Sequence, residues 1–215
     1  MSNNVTNAHA EAEAFKAIIK SKMDDLVQEF SEGKISREQF QVLYERYNGR
    51  LSIANQALVS GNPEAIKIAQ SGPSTLLVRD IYMGRALGIV IYHDASGTLI
   101  ETLGTFDVAP AQVTSTLVEI DGKRRSGSYL ATINKQINEG QWLIFVTGKF
   151  TTVVVLFKNE PSQYQIKEIE RIHYDFEQAN QLFLGQDTVD TDELADPFYV
   201  FVKRWSQEKE ENDAR

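Results

Sequence analysis

Apolar residues recur at two different periods along this chain, and the change of period divides it. From about Ala10 to Phe30, Phe15, Ile19, Lys22 or Met23, Leu26 and Phe30 fall three or four residues apart, which draws one apolar stripe along a helix. Residues 1–9 before it are polar and are expected to be flexible. Gly33 can stop this helix, and Ser36 followed three residues later by Gln39 is a capping box for a second, with Ile35 before the cap and Phe40 at the staple position. The second stripe runs through Phe40, Leu43, Tyr44, Tyr47, Leu51, Ala54 and Leu58, with Gly49 a weak point. A third short helical piece is read from Asn62 to Ala69, with Pro63 in its first turn, before "SGPST" at 71–75 breaks the pattern. A helical arm over 10–72 follows from these signals.

Beyond the break the period shortens to that of strands. "LLVRDIYM" at 76–83 reads either as a strand or as a last turn of helix. "ALGIVIYHD" is a strand, "SG" a turn and "TLIETLGTF" its partner. The first strand alternates poorly, as a central strand covered on both faces would. In the second, Leu99, Glu101 and Leu103 share one face and Thr98, Ile100 and Thr102 the other, which marks it as an edge. A helix over about 109–121 is predicted from Val113, Leu117 and Ile120, with Pro110 early and Asp107 able to cap. "GKRRSGS" is read as a loop, and "YLATINKQI", "QWLIFVTGK" and "TTVVVLFK" as three strands. Ser162 or Pro161 then begins a helix of about 22 residues, striped by Ile166, Ile169, Ile172 or His173, Phe176, Asn180 and Phe183 and stopped by Gly185.

The expected fold class is therefore α+β: a five-stranded antiparallel sheet with two covering helices in the order ββαβββα, over 75–185, preceded by the helical arm. An acidic linker over 186–196, an apolar docking segment over 197–206 ("PFYVFVKRW" and its last Ser) and a polar tail over 207–215 complete the chain.

Composition narrows the function classes. The chain of 215 residues carries a net charge of −8, and five of those negative charges fall in its last thirty residues. That acidic end repels phosphate backbones, and Lys123, Arg124 and Arg125 are the one compact basic run, so no nucleic acid partner is expected. Cysteine is absent, which excludes disulfides, thiolate nucleophiles and cysteine-ligated metals. No apolar run approaches the roughly 20 residues that span a bilayer, so no membrane insertion is expected and a cytoplasmic location is the default.

The opening hairpin "GIVIYHDASGTLIETLG", the strand pair "GQWLIFVTGKFTTVVVLFKNEP" and the immediate entry into a closing helix resemble the roadblock and longin-like domains, which share a profilin-like layout. Asp94 and Gly97 match the D-x-x-G turn of roadblock domains, and "GKISREQFQVLYERY" is similar to the short helical SHOCT-type modules. The resemblance implies a dimerising scaffold or a regulator of small GTP-binding proteins, with partners held along sheet or helix surfaces. The helical front and the extra tail depart from an ordinary roadblock protein.

Candidate chemistry is sparse. His9, His93 and His173 have no partner at metal-ligand spacing, so no metal and no cofactor are expected. His93 and Asp94 are adjacent strand residues that point to opposite faces, a poor base and orienter; Asp94 is better read as a turn residue accepting backbone N–H groups while Gly97 takes a positive φ. No catalytic residue is assigned. The candidates for interaction are Lys123, Arg124 and Arg125 as an anion or acidic-surface clasp, Trp142 and Trp205 as anchors, Tyr174, Phe198, and Glu177 as a helix charge reaching a neighbouring helix or dimer mate. The expected function is a non-enzymatic regulatory or scaffold role in a homodimer. The alternative is a small-molecule sensor with a pocket between the sheet and the 109–121 helix.

Overall fold

The computed structural model describes residues 2–60, 67–68, 71–128 and 132–195. The chain forms two compact units, Met1–Met83 and Gly84–Arg215. The front unit holds α1 (Ser2–Ser31), α2 (Arg37–Ser60) and α3 (Thr75–Ile81). Helix α2 starts where the capping box predicts: the Gln39 N–H donates to Ser36 Oγ at 3.1 Å and the Ser36 N–H to Gln39 Oε1 at 3.2 Å. Ile19, Leu26, Ile35, Leu43, Tyr47 and Val78 make the core of this unit. Helix α1 is helical from Ser2, so its backbone begins well before Ala10. The 76–83 stretch resolves to helix, because Ser74 caps it by accepting the Leu77 N–H and Val78 joins the arm's core. Most of the predicted 62–69 helix lies outside the described residues.

The second unit is a mixed α+β fold, with a five-stranded antiparallel sheet in the order β2-β1-β5-β4-β3. Its elements run β1 (Arg85–His93), β2 (Leu99–Gly104), α4 (Pro110–Arg125), β3 (Ile133–Asn138), β4 (Gln141–Thr147), β5 (Thr151–Lys158), α5 (Gln163–Ala179) and α6 (Gln181–Leu184). The two long helices cover opposite faces of the sheet. Ile166, Ile169, Ile172 and Phe176 of α5 pack on Ile89, Ile91, Ile144, Val146, Val153, Val155 and Phe157. Val113 and Ile120 of α4 pack on Val90, Leu143, Phe145, Val154 and Leu156. Strand β5 lies between β1 and β4, and Thr151 through Phe157 are all buried, which is why that strand reads as an unbroken apolar run.

Four local details differ from the sequence expectation. Strict alternation in β2 separates Ile100 from Leu103, yet both face the α5 side, because the register against β1 shifts between Ile91 and Tyr92 and the extra residue is absorbed as a bulge. Helix α4 is capped at Ala109 rather than by Asp107, and it runs on through Arg125, so "GKRR" is its last turn and not a loop. The predicted 22-residue closing helix is broken at Asn180 into α5 and α6. The acidic stretch after Gly185 is also packed: Val189 and Leu194 lie on the α5-side core, and the Asn180 side chain holds both the N–H and the carbonyl of Ala195 at 2.7 Å.

The apolar contact between α5 and the sheet predicts a large truncation cost. Ile169→Ala, at a side chain with no exposed surface, should lower the stability of the chain by about 2–5 kcal/mol, read from denaturant unfolding.

Candidate functional site

One end of the sheet gathers most of the buried polar residues of the second unit, among them His93, Thr151, Thr152, His173 and Glu177. There the β1–β2 turn, the β4–β5 turn, the last turn of α4 and the end of α5 meet. The β4–β5 turn is tight: the Gly148 N–H donates to the Thr151 carbonyl at 2.8 Å. Its remaining amides converge on Glu177, one turn from the end of α5. The carboxylate accepts the N–H groups of Lys149 at 2.8 Å, Phe150 at 2.9 Å and Thr151 at 2.8 Å, and the Thr151 hydroxyl at 2.8 Å. Such multiple donation is what a buried carboxylate requires. Glycine at 148 leaves the room, since a Cβ there would sit 2.5 Å from Glu177 Oε2. Glu177 thus joins its helix to a turn of its own domain and does not reach outward to another helix.

Behind Glu177, His173 lies one helical turn back, with Nε2 2.7 Å from Thr151 Oγ1. The Thr151 hydroxyl proton goes to Glu177, so its oxygen accepts from His173 and the imidazole carries its proton on Nε2. Burial lowers the His173 pKa to about 4, against the Glu177 charge, which raises it. A hydroxyl, an imidazole and a carboxylate in contact have the composition of a catalytic triad. The arrangement here is different: Thr151 has no exposed surface, and the carboxylate meets the hydroxyl and backbone rather than the second ring nitrogen.

Asp94 occupies the other side of the sheet. It accepts the Thr152 hydroxyl at 2.7 Å rather than the turn amides, and its second oxygen is 2.5 Å from Arg124 Nη1 in an ionic contact. Arg124 also donates to the Gly148 carbonyl at 3.3 Å. Burial pushes the Asp94 carboxyl above its ordinary value, opposed by the Thr152 hydrogen bond and the Arg124 charge. Gly97 takes the positive φ of 70° that closes the turn. His93 points the opposite way, with Nε2 donating to the Leu184 carbonyl at 3.1 Å and Nδ1 2.8 Å from Ser96 Oγ. Adjacent residues thus serve opposite faces.

The basic run is divided in its use. Arg124 turns inward to Asp94, whereas Lys123 pairs with Glu119 at 2.6 Å and Arg125 with Asp121 at 2.7 Å on the helix surface. The three cations therefore do not form one clasp. Tyr174 is exposed on the outer face of α5, and Trp142 packs against the α5-side core with its indole Nε1 buried and without a hydrogen-bond partner among the described residues. Phe198 and Trp205 lie outside the described residues. Thr151 and Thr152 carry the network although nothing in the local pattern names them; two threonines at the mouth of an apolar strand, just after a glycine turn, were the available signal.

The space between α4 and the sheet, where a sensor would hold its ligand, is filled by Val113, Leu117 and Ile120 against the strands. In the front unit a cavity of about 370 Å³ opens over Leu26, Leu43 and Tyr47, with Lys22, Asp25 and the Glu29–Arg79 pair at its mouth. Among the described residues no group of three or more His, Asp or Glu side chains is placed to hold a metal ion. No described helix is long and apolar enough to cross a membrane.

Two outcomes follow from this geometry. Arg124→Ala leaves Asp94 half-enclosed without its counter-charge and should cost about 2 kcal/mol, while Lys123→Ala and Arg125→Ala leave the unfolding midpoint unchanged. The unfolded chain protonates His173 near 6.5 and the folded chain near 4. Between those values the unfolded state binds more protons, so stability falls as pH drops from about 6.5 to about 4. Asp94, raised in the folded state, acts in the opposite sense and gains as pH falls. His173→Gln retains a donor for Thr151 and should make the fall between these pH values shallower in a series of denaturation midpoints. No family model matches the chain, and no curated protein matches it.

Proposed function

We propose that this protein is a non-enzymatic regulatory or scaffold protein that acts through protein–protein contacts, built on a roadblock- or longin-like sheet domain and working as a homodimer. The observation that carries this reading is the use made of its charged and polar residues at the sheet end. Asp94, Arg124, His173 and Glu177 are bonded to turns and to one another, so their role is to hold the sheet's connections. The element order ββαβββα and the antiparallel sheet support the resemblance to the roadblock and longin-like layout. What the domain offers to a partner is its sheet edges and outer helix faces, the latter including the exposed Tyr174 of α5. A small GTP-binding protein is the partner class that the resemblance brings with it.

Light scattering on the full chain over a wide concentration range tests the dimer, with twice the chain mass of 24.3 kDa expected. A mass equal to one chain at every concentration would overturn it, and pull-downs from native lysate that recover no protein partner under several conditions would count against the scaffold role.

A further inference from the structure

The hydroxyl of Thr151 is sealed from solvent, but a second hydroxyl–imidazole pair at the same end of the sheet has its hydroxyl on the surface. His93, with 1% of its surface exposed, donates from Nε2 to the Leu184 carbonyl at 3.1 Å. A carbonyl oxygen only accepts, so the ring proton is on Nε2 and Nδ1 carries a lone pair. The atom 2.8 Å from that lone pair is Ser96 Oγ, which therefore donates its hydroxyl proton to the ring. Ser96 itself is exposed, in the turn between β1 and β2 that Gly97 closes. A hydroxyl held on a neutral imidazole, whose other nitrogen is fixed by a third group, is the arrangement that makes serine a nucleophile. Here the last carbonyl of α6 is the group that orients the ring.

The surroundings of the oxygen favour negative charge on it. With its own proton directed to His93, Ser96 Oγ accepts the Thr98 hydroxyl at 2.7 Å and the Thr98 N–H at 3.3 Å. The amides of the exposed residues Ala95 and Ser96 have no acceptor among the described residues. A nucleophile's own N–H is a suitable donor to the oxyanion of an acyl adduct. Phosphoryl transfer calls instead for cations free to hold the phosphate. Those of this end are engaged: Lys123 with Glu119, Arg124 with Asp94, Arg125 with Asp121, and Lys149 over the Phe150 ring at 4.7 Å.

We infer that Ser96 is a site of acyl modification, with His93 as its base, and that it takes the acyl group of an activated ester. Oγ bonds to the acyl carbon as Nδ1 takes the hydroxyl proton. The bond from that carbon to the leaving oxygen then breaks, and Nδ1 passes the proton to the departing alcohol. The product is an O-acyl serine, formed once per chain, which accords with a non-enzymatic role.

Treating the full chain with p-nitrophenyl acetate and locating the acetylated residues by peptide mass spectrometry tests this. Ser115 and Ser126 are exposed serines that donate to backbone carbonyls instead of an imidazole, and they serve as internal references. In the folded chain Ser96 should be acetylated about 100-fold faster than either, and in denaturant at the same rate as they are. Ser96 should also react more slowly in heavy water than in ordinary water, because its proton moves as the acyl bond forms. His93→Gln keeps a hydrogen-bonding side chain without a base and, once circular dichroism shows it folded, should bring Ser96 down to the reference rate. Equal rates at Ser96, Ser115 and Ser126 in the folded wild type overturn the site. A folded His93→Gln that labels Ser96 as fast as the wild type overturns the role of the base. Should that variant not fold, equal wild-type rates in heavy and ordinary water overturn that role instead.

Discussion

Strand β5 is enclosed on every side, by β1 and β4 within the sheet and by a helix on each face, and the chain must enter it from a turn whose amides have few places to donate. An unpaired buried N–H costs as much as a lost hydrogen bond, so the amides of 149–151 need an acceptor supplied from within. Glu177 is that acceptor. Much else at this end of the sheet answers the same need: a glycine at 148 to let the carboxylate in, a threonine at 151 to share its charge, and a neutral histidine at 173 to complete the threonine's hydrogen bonding.

The same end of the sheet ties both helical layers to the strands. On one side Glu177 and His173 fasten α5, and the Leu184 carbonyl of α6 accepts from the His93 imidazole Nε2. On the other, Arg124 joins the end of α4 to Asp94 and to the Gly148 carbonyl. The period of two in β1 makes this division possible, since neighbouring residues of one strand must serve opposite layers. Histidines and acids gathered at the end of a sheet are the composition of many active sites. Their partners here are backbone amides, carbonyls, buried hydroxyls and, for Asp94, the Arg124 guanidinium, and these bonds fasten turns to helices.

The parts of this fold that could be read from sequence are those governed by residues a few positions apart. Ser36 with Gln39 announces a helix start, and that capping box forms; Ser162, one of the two starts read for the closing helix, caps it with Gln165 as the reciprocal partner. "TTVVVLFK" declares a strand, the poor alternation of β1 declares cover on both faces, and the mixed pattern of β2 declares an edge. What escaped the reading depends on distant residues. Nothing near Arg124 distinguishes it from Lys123 or Arg125, because its partner lies thirty positions back across the sheet. Asp94 finds Thr152 only once β1 and β5 are paired. The bulge at Ile100 resolves a competition between strict alternation and the burial of both Ile100 and Leu103, and only the assembled core decides it. The break at Asn180 has a similar origin, since its side chain is engaged with Ala195.

That engagement gives the protein a mechanical property. The Asn180 amide presents one donor and one acceptor to Ala195, in the manner of a strand neighbour, and so holds the chain at two points there. A pull on the chain beyond Ala195 is therefore resisted first by these two bonds acting in parallel, with Leu194 seated in the core just behind them. Load applied at Ala195 is thereby passed to α5 and the sheet, and the acidic stretch before it carries no tension until that clamp has let go.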